Sequence, residues 1–275
     1  MKKRSPIGVF DSGYGGLTVL AELQNKLPEY DFLYLGDNAR APYGTRSFET
    51  VYEFTLQAVT YLFEQNCELV ILACNTASAK ALRSIQQNDL PQNFPGKRVL
   101  GVIRPSAESV NDYTQTKHVG ILATEGTVKS ESYRLEINKL FPEIKVTQHA
   151  CPLWVPLIEN NKYQTEGGKA LILEDLNNLL NQDPKIDAIV LGCTHYPIVK
   201  DFIEKSISPD IKVISQGEIV AEKLVDYLQR HSDIEQKISK NSETLYFTTD
   251  NALTFDQDAS RILGKNVTSK HLKLS

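Results

Sequence analysis

The sequence predicts an α/β protein built on parallel, doubly wound sheets. Two apolar segments, residues 69–72 and 189–191, carry this prediction, because each is typical of a buried strand and runs directly into a cysteine, Cys74 or Cys193. Segments with helical spacing separate the apolar runs, and this alternation is typical of parallel sheets. Ligands of open α/β sheets bind outside the carboxyl ends of the strands, so we expect both cysteines at a functional edge.

Further elements follow in order from the same patterns. Apolar runs bounded by turn residues predict strands at residues 7–10, 32–35, 69–72, 98–103, 118–123, 144–146, 189–191, 211–214 and 245–248. Helical spacing predicts helices at residues 17–27, 47–64, 130–140, 167–180, 217–229 and 255–263, and a shorter one within 151–159. Ser47 is the predicted cap of the second helix. Pro28 ends the first helix, Pro105 ends the strand 98–103, and the polar residues 231–243 form an exposed loop or hinge.

Composition limits the class of protein. The chain has 275 residues, enough for one large domain or two of ordinary size, with 41% apolar and 23% charged residues. A net charge of −4 and a pI near 5.8 argue against a protein that neutralises phosphate backbones. Neither an apolar run of about 18 residues nor a signal sequence is present, since Asp11 follows the basic N-terminus closely. We therefore expect a cytoplasmic protein that binds neither nucleic acid nor membrane.

The four cysteines are expected to be free thiols. They lie at positions 67, 74, 151 and 193, and no Cys-x-x-Cys pair or zinc-type spacing occurs. His149 and Cys151 are interpreted as structural, and Cys67 has no chemical context.

The two halves of the chain share a layout. Asp11 follows a predicted strand and Cys74 ends a later one; Thr124 and Cys193 repeat this arrangement at a similar separation. Two half-molecules related in this way would face each other and place one thiol on each side of a cleft. The residue-level similarity is weak, and chance resemblance of α/β units is the alternative.

The loop 11–16 contains Gly-x-Gly-Gly, which fits neither the dinucleotide fingerprint nor the P-loop. A helix N-terminus binds a carboxylate and Asp11 can accept from an ammonium group, so the pair suits a zwitterion such as an amino acid. Alternatively, the glycines only make a tight turn and Asp11 caps the helix.

Cys74 and Cys193 allow four interpretations. They could be buried core thiols, ligands of a metal together with His195, or include the nucleophile of a Cys–His enzyme. The metal site lacks an evident fourth ligand, and a nucleophilic enzyme leaves the second thiol unexplained. The fourth interpretation is proton transfer on opposite faces of a carbon acid, in which one thiol removes a proton and the other returns one. A thiol has an unperturbed pKa of about 8.5, so forming the thiolate at pH 7 costs only about 2 kcal/mol.

Six motifs in series resemble those of bacterial glutamate racemases and extend over nearly the whole chain. They lie at residues 9–16, 41–44, 73–77, 122–128, 151–156 and 192–197. The resemblance implies two doubly wound parallel-sheet domains related by pseudo-symmetry, with the active site in the cleft between them. It implies a first domain of residues 1–98 and 209–275, which carries Asp11 and Cys74, and a second of residues 99–208, which carries Thr127 and Cys193.

The same resemblance implies which residues are catalytic. It also implies a reaction that uses no cofactor and no metal. Cys74 would deprotonate D-glutamate and Cys193 L-glutamate, with Asp11 and His195 assisting the two thiols. The residues implied in substrate binding are Asp11, Ser12, Tyr43, Gly44, Asn75, Thr76, Thr127, Glu159, Thr194 and His195.

The expected activity is cofactor-independent racemisation of glutamate, which supplies D-glutamate for peptidoglycan, and the expected assembly is a homodimer. Two alternatives stay open: a racemase of another amino acid such as aspartate, and a non-catalytic two-lobed amino-acid sensor. Assays with a panel of amino acids distinguish a glutamate racemase from a racemase of another amino acid. Loss of turnover on thiol alkylation distinguishes an enzyme from a sensor.

Overall fold

The computed structural model describes residues 5–274, so the basic residues 1–4 and residue 275, which belong to the predicted first domain, lie outside it. Over the described range the chain forms ten strands: β1 (Ile7–Asp11), β2 (Phe32–Gly36), β3 (Leu69–Leu72), β4 (Arg98–Gly101), β5 (His118–Ala123), β6 (Lys145–Ala150), β7 (Ala188–Gly192), β8 (Lys212–Ile214), β9 (Thr244–Thr248) and β10 (Ser269–His271).

Helices alternate with these strands. They are α1 (Gly16–Lys26), α2 (Phe48–Glu64), α3 (Asn75–Lys80), α4 (Leu82–Ser84), α5 (Leu90–Asn93), α6 (Ile103–Ser109), α7 (Glu125–Lys129), α8 (Ser132–Leu140), α9 (Trp154–Glu159), α10 (Glu166–Gln182), α11 (Lys200–Ser206), α12 (Gln216–Arg230), α13 (Ser232–Glu235) and α14 (Ala252–Leu263). Short 3₁₀ segments lie at Asn38–Arg40, Val110–Asp112, Lys162–Gln164 and Tyr196–Val199, and a π-helical turn at Ile85–Asp89 joins α4 to α5. Ser47 caps α2 as predicted, because its Oγ accepts from the N–H of Thr50.

The strands form two parallel sheets that repeat one order. The first sheet has the order β10-β9-β2-β1-β3-β4 and the second β6-β5-β7-β8. All neighbouring strands pair in parallel. Within each sheet the first strand of its half lies between the second and the third, so β5 and β7 of the second half correspond to β1 and β3 of the first. This repeated order confirms the predicted α/β class and its pseudo-symmetry.

Helices cover both faces of both sheets. Along β1, Val9 packs into a cluster with residues of α1, α12 and α14, whereas Phe10 packs on the opposite face with residues of α2. Along β5, Leu122 packs on one face with residues of α9–α11, whereas Ile121 packs on the opposite face with residues of α6–α8. Because both faces are buried, the strands are apolar runs rather than alternating ones, which is why they could be recognised in the sequence. No helix among residues 5–274 is long and apolar enough to cross a membrane.

Two predicted elements differ from the structure. The strand predicted at 98–103 ends at Gly101, and Pro105 lies in the first turn of α6, where proline is tolerated because its missing N–H would have no helical partner. Residues 231–243 are not simply an exposed loop, since they include α13 and bury Ile234 and Ile238 in the core of the first sheet. Strand β10 was not predicted.

The strand pairing also places two segments differently from the predicted domain boundaries. Strand β4 pairs with β3 in the first sheet, although residues 99–101 fall in the predicted second domain. Strand β8 pairs with β7 in the second sheet, although the prediction assigns it to the first domain. We therefore propose that the chain crosses between domains near residues 102 and 215.

Candidate active site

The carboxyl ends of the two central strand pairs meet at one small cavity. Asp11 ends β1, Cys74 follows β3, Thr124 follows β5 and Cys193 follows β7. The cavity has a volume of about 30 Å³ and lies between the two sheets. The residues that line it are Ser12, Gly13, Ala41, Pro42, Tyr43, Gly44, Cys74, Asn75, Thr76, Thr124, Val155, Glu159, Cys193, Thr194 and His195. Both halves of the molecule thus contribute a thiol to the same site.

Cys74 is buried at the start of α3. Its Sγ accepts a hydrogen bond from the N–H of Ala77 at 3.4 Å, which makes the side chain the N-cap of the helix. Ser12 Oγ lies 3.4 Å from the same sulfur. Burial, and after it the carboxyl group of Asp11, raises the pKa of Cys74 to about 12. In this closed geometry Cys74 therefore keeps its proton at neutral pH.

Cys193 is buried next to a histidine that is held in its charged form. His195 Nδ1 lies 3.9 Å from Cys193 Sγ, and His195 Nε2 lies 3.0 Å from Glu159 Oε1. Burial lowers the pKa of His195, but the hydrogen bonds to Cys193 and Glu159 outweigh it and raise the pKa to about 10. The imidazole is therefore protonated at neutral pH, which places a cation beside the Cys193 sulfur.

Asp11 lies behind the cavity and links the two halves. Its Oδ1 accepts from the N–H of Gly13 at 2.9 Å, and its Oδ2 accepts from Thr194 Oγ1 at 3.3 Å. Burial raises the pKa of Asp11, while the charge of His195 and these hydrogen bonds lower it. The carboxyl group thus fixes the loop after β1 against the loop after β7. The N-cap position of α1 is Gly15, but the carboxyl group of Asp11 also accepts from the N–H of Gly16, the first residue of that helix.

The glycines of the first loop allow the start of α1 to pack very closely against neighbouring residues. A Cβ atom at Gly15 would lie 2.3 Å from Thr194 Oγ1 and 2.5 Å from His195 Nδ1. A Cβ atom at Gly16 would lie 2.4 Å from Asp11 Cβ. The loop needs glycine because α1 begins directly against the residues that flank Cys193, which explains a glycine pattern that matches no phosphate-binding motif.

Hydroxyl groups from both halves meet on the other side of the cavity. Thr76 Oγ1 lies 2.9 Å from Thr124 Oγ1 and 3.4 Å from Thr127 Oγ1. Thr124 also caps α7 through the N–H of Thr127. Close by, the N–H of Gly126 donates to the carbonyl of Gly44 at 2.8 Å. These contacts join α3 and the loop after the first 3₁₀ segment to the start of α7.

Asn75 is held by a buried polar network. Its Nδ2 donates to Gln216 Oε1 at 2.7 Å, and its Oδ1 accepts from the hydroxyl of Tyr133 at 2.7 Å. Gln216 Nε2 in turn donates to Ser106 Oγ at 2.8 Å and is hydrogen-bonded to Tyr133. The side chain of Asn75 is thus fixed at the edge of the cavity by these buried partners.

Tyr43 is fixed by a buried carboxylate. Its hydroxyl donates to Asp37 Oδ2, which also accepts from Arg40 Nε at 2.7 Å, while Asp37 Oδ1 accepts from Thr249 Oγ1 at 2.8 Å. Burial, followed by the charge of Asp37, raises the pKa of Tyr43, so it remains a neutral hydroxyl. Tyr43 lines the cavity beside Pro42, whose peptide bond with Ala41 is cis.

Comparison with known proteins identifies the family. Residues 17–224 match the family model described as Asp/Glu/Hydantoin racemase. The chain belongs to this racemase family. A glutamate racemase from Ruegeria sp. (strain TM1040) is 40% identical over 272 residues, which cover 95% of this racemase and 98% of that protein. The resemblance seen in the motifs is therefore confirmed, and the chain is an isomerase.

Solved structures agree with the fold of the racemase. Glutamate racemase isoform RacE1 from Bacillus anthracis superposes with a TM-score of 0.90 at 35% sequence identity. Glutamate racemase from Francisella tularensis subsp. tularensis SCHU S4, in complex with D-glutamate, superposes with a TM-score of 0.87 at 34% identity. Each comparison covers 99% of this chain and 98% of the other.

The structure brings most of the predicted site residues of the racemase together. Two of them, Asp11 and Thr127, lie behind the cavity rather than along it, each bound to a residue that lines it. The lining residues that were not predicted are Gly13, Ala41, Pro42, Thr124 and Val155. All five fall inside the recognised motifs, so the motifs were the signal. Asp37 lies in a polar loop without such a signal.

Proposed function

We propose that this racemase interconverts L- and D-glutamate without a cofactor, by proton transfer between Cα and two thiols. One observation carries the proposal: Cys74 and Cys193, each buried and each from a different sheet, line the same small cavity. Inverting a stereocentre requires an acid and a base on opposite faces of the carbon, and two equivalent groups suit a reversible reaction. The D-glutamate complex of the Francisella tularensis relative supports glutamate as the substrate.

In the direction from L- to D-glutamate, the thiolate of Cys193 removes the Cα proton. The electron pair of the C–H bond delocalises into the α-carboxylate, and the thiol of Cys74 donates its proton to the opposite face of Cα. The product is D-glutamate, with a thiol at Cys193 and a thiolate at Cys74. The raised pKa of Cys74 supports its role as the acid in this direction, and the reverse reaction exchanges the two roles.

Neutral donors are proposed to hold the substrate carboxylates. Ser12 and Thr76 line the cavity and carry hydroxyl groups, and Asn75 is held there by buried partners. The hydroxyl hydrogens of Tyr43 and Thr194 are already donated to Asp37 and Asp11, so these two residues would contribute backbone N–H groups. Such donors stabilise the negative charge that develops on the α-carboxylate when Cα is deprotonated. Glu159, which lines the cavity, is proposed to face the substrate ammonium group and to hold the imidazole of His195. Asp11, which lies behind the cavity, is proposed to adjust the neighbouring thiol of Cys74.

The biological setting extends the same proposal. We propose that the enzyme works in the cytoplasm as a homodimer and supplies D-glutamate for peptidoglycan. Cells depleted of this chain should then require D-glutamate for growth, and sedimentation of the purified chain should give the mass of a dimer. Growth without added D-glutamate, or the mass of a monomer, would contradict the corresponding statement.

Racemisation in deuterium oxide tests the mechanism. The purified chain, without added cofactor or metal, should racemise glutamate of either hand and incorporate deuterium at Cα, as followed by circular dichroism and mass spectrometry. Racemisation without uptake of deuterium would contradict proton transfer through exchangeable thiols. A panel that includes aspartate tests the substrate, and binding without turnover would instead support an amino-acid sensor.

A further inference from the structure

A group of three side chains of types that bind metal ions lies in the half of the molecule built on the second sheet, outside the cavity. His149 near the end of β6, Cys151 just after it and Asp175 in α10 offer a nitrogen, a sulfur and an oxygen atom within 4.8 Å of one another. We propose that these three residues bind a divalent cation of the zinc class. The site is separate from the reacting thiols, and the proposal does not depend on the racemase mechanism.

The three ligand types and their spacing suit such an ion. Zinc binds thiolate sulfur, imidazole nitrogen and carboxylate oxygen in a tetrahedral arrangement, at about 2.3 Å from sulfur and about 2.0–2.2 Å from nitrogen or oxygen. Neighbouring ligand atoms of a tetrahedral site are therefore about 3.3–3.7 Å apart. His149 Nε2 and Asp175 Oδ1 are 2.8 Å apart, so the two side chains need to separate by only about half an ångström. Water would complete the coordination.

Further side chains hold the ligands in place. Trp154 Nε1 donates to Asp175 Oδ2 at 2.8 Å, so Oδ1, which faces His149 Nε2, is the oxygen that would bind the ion. The side-chain amide of Gln182 lies 3.4 Å from His149 Nδ1. Gln182 Nε2 also donates to the carbonyl of Asn178 at 3.1 Å, which fixes this amide beside the imidazole of His149. Orienting partners of this kind surround histidine and carboxylate ligands in metal sites.

The ion can reach the site from solvent and displace a proton. The side chains of His149 and Asp175 are 18% and 20% exposed, whereas Cys151 is buried beneath them. Forming the sulfur–metal bond releases the thiol proton to solvent.

Position indicates a structural role for the bound ion. It would connect the end of β6 to α10, next to the loop that carries His195. The hydroxyl of Tyr196 donates to the carbonyl of Cys151 at 3.1 Å, and its ring packs against Trp154 with 4.7 Å between ring centres. We therefore expect the ion to raise the thermal stability of the domain rather than to take part in proton transfer.

Cobalt provides a direct test, because a Co²⁺–thiolate bond absorbs in the near ultraviolet. The full chain, first treated with a chelator, should bind one equivalent of Co²⁺ with this absorption. Cys151→Ser should abolish the absorption, and Asp175→Asn should weaken binding at least tenfold. Cys67→Ser, which changes a buried thiol elsewhere, should leave it unchanged, as should the double variant Cys74→Ser/Cys193→Ser.

Zn²⁺ should raise the melting temperature of the parent chain and of Cys67→Ser but not that of Cys151→Ser or His149→Gln. Absence of the absorption from the parent chain, its persistence in Cys151→Ser, or its loss in the double variant would overturn the proposal. If Cys151→Ser does not fold, the Asp175→Asn and His149→Gln variants test the proposal instead. Binding of Co²⁺ by both variants as tightly as by the parent chain would also overturn the proposed site.

Discussion

At the scale of single residues, the two thiols are equivalent in chemistry but differ in their surroundings. Cys74 lies near the carboxyl group of Asp11 and is protonated, whereas Cys193 lies beside a protonated His195. The two thiols thus differ in electrostatic surroundings, with a carboxyl group near one sulfur and a cation beside the other.

Removal of one thiol should separate deprotonation from inversion. In Cys74→Ala, Cys193 can still remove and return the Cα proton of L-glutamate on one face, so deuterium should enter L-glutamate without racemisation. Cys193→Ala should show the same exchange with D-glutamate alone. We expect racemisation to fall by about 10²–10⁴-fold in each, the usual contribution of a positioned acid or base. Mass spectrometry combined with chiral chromatography measures both quantities.

The buried Cys67 provides the matched control, since Cys67→Ala removes a thiol outside the cavity and should retain the parent rate. Exchange into the opposite enantiomers would show that the assignment of the two thiols to the two faces is reversed.

Glu159 should control the charge of His195. Since the pKa of His195 is raised to about 10 in part by the hydrogen bond to Glu159, Glu159→Gln should lower it toward its usual 6.5. A folded-state pKa above the unfolded value means that protonation stabilises the fold fully below pH 6.5, and that this stabilisation is lost as pH rises toward 10. The free energy of unfolding of the parent chain should therefore exceed that of the Glu159→Gln variant near pH 6.5. This difference between the two proteins should shrink as the pH rises toward 10.

Titration of the His195 ring by nuclear magnetic resonance measures the pKa, and denaturant unfolding over the same pH range measures the stability. Glu166→Gln, which changes an exposed glutamate at the start of α10, is the control and should leave both unchanged. An imidazole that titrates at the same pH in the parent and in Glu159→Gln would contradict this account.

At the scale of elements, α12 connects the two halves behind the cavity. Its first residue, Gln216, is hydrogen-bonded to Asn75 of α3, Ser106 of α6 and Tyr133 of α8. Gln216→Met keeps the approximate size of the side chain but leaves buried polar groups of these partners without a hydrogen bond. Each unsatisfied group costs about 1–3 kcal/mol, so we expect a loss of that order, measured by urea unfolding.

Gln229→Met changes an exposed glutamine of the same helix and should alter stability by no more than about 0.5 kcal/mol. If Asn75 is positioned by this network, Gln216→Met should also raise the KM for glutamate, whereas Gln229→Met should not. Equal stability and equal KM in the two variants would show that the network has no such role.

The sequence allowed every strand to be predicted except β10, one of the edge strands. Strands such as β3 and β7 are buried on both faces and appear as continuous apolar runs, so their ends located Cys74 and Cys193. Strand β10 has three residues, Ser269–His271, and carries no apolar pattern because it lies at the sheet edge. Which sheet receives β8 depends on long-range pairing with β7, which local composition does not encode.

The same limit applies to the site. Thr124 lies in a recognised motif but was omitted from the predicted substrate contacts, although its hydroxyl meets Thr76 of the opposite half at the cavity. Asp37 could not be found at all, because its role depends on three partners, Tyr43, Arg40 and Thr249, of which the last is far away in the chain. Residues that act through contacts between distant segments leave no signal in a single sequence.

At the scale of the whole molecule, the cavity is closed more tightly than substrate binding allows. Its volume of about 30 Å³ corresponds to about one water molecule, and glutamate is several times larger. The lining residues come from both halves of the molecule, so we propose that the two halves move apart to admit the substrate. Contacts that cross between the halves beside the cavity, such as that from Gly126 to Gly44, must then break during each turnover.

Amide hydrogen exchange should detect this opening. The N–H of Gly126 donates across the cleft to Gly44 at 2.8 Å, whereas the N–H of Cys151 donates to Ala123 within the second sheet at 2.9 Å. Both residues are buried, so a rigid closed molecule would protect the two amides alike. If the halves separate, Gly126 should exchange faster than Cys151, since opening exposes only the former. Saturating glutamate should slow the exchange of Gly126 and leave Cys151 unchanged, because bound substrate holds both halves; equal rates for the two amides, with or without glutamate, would contradict an opening motion.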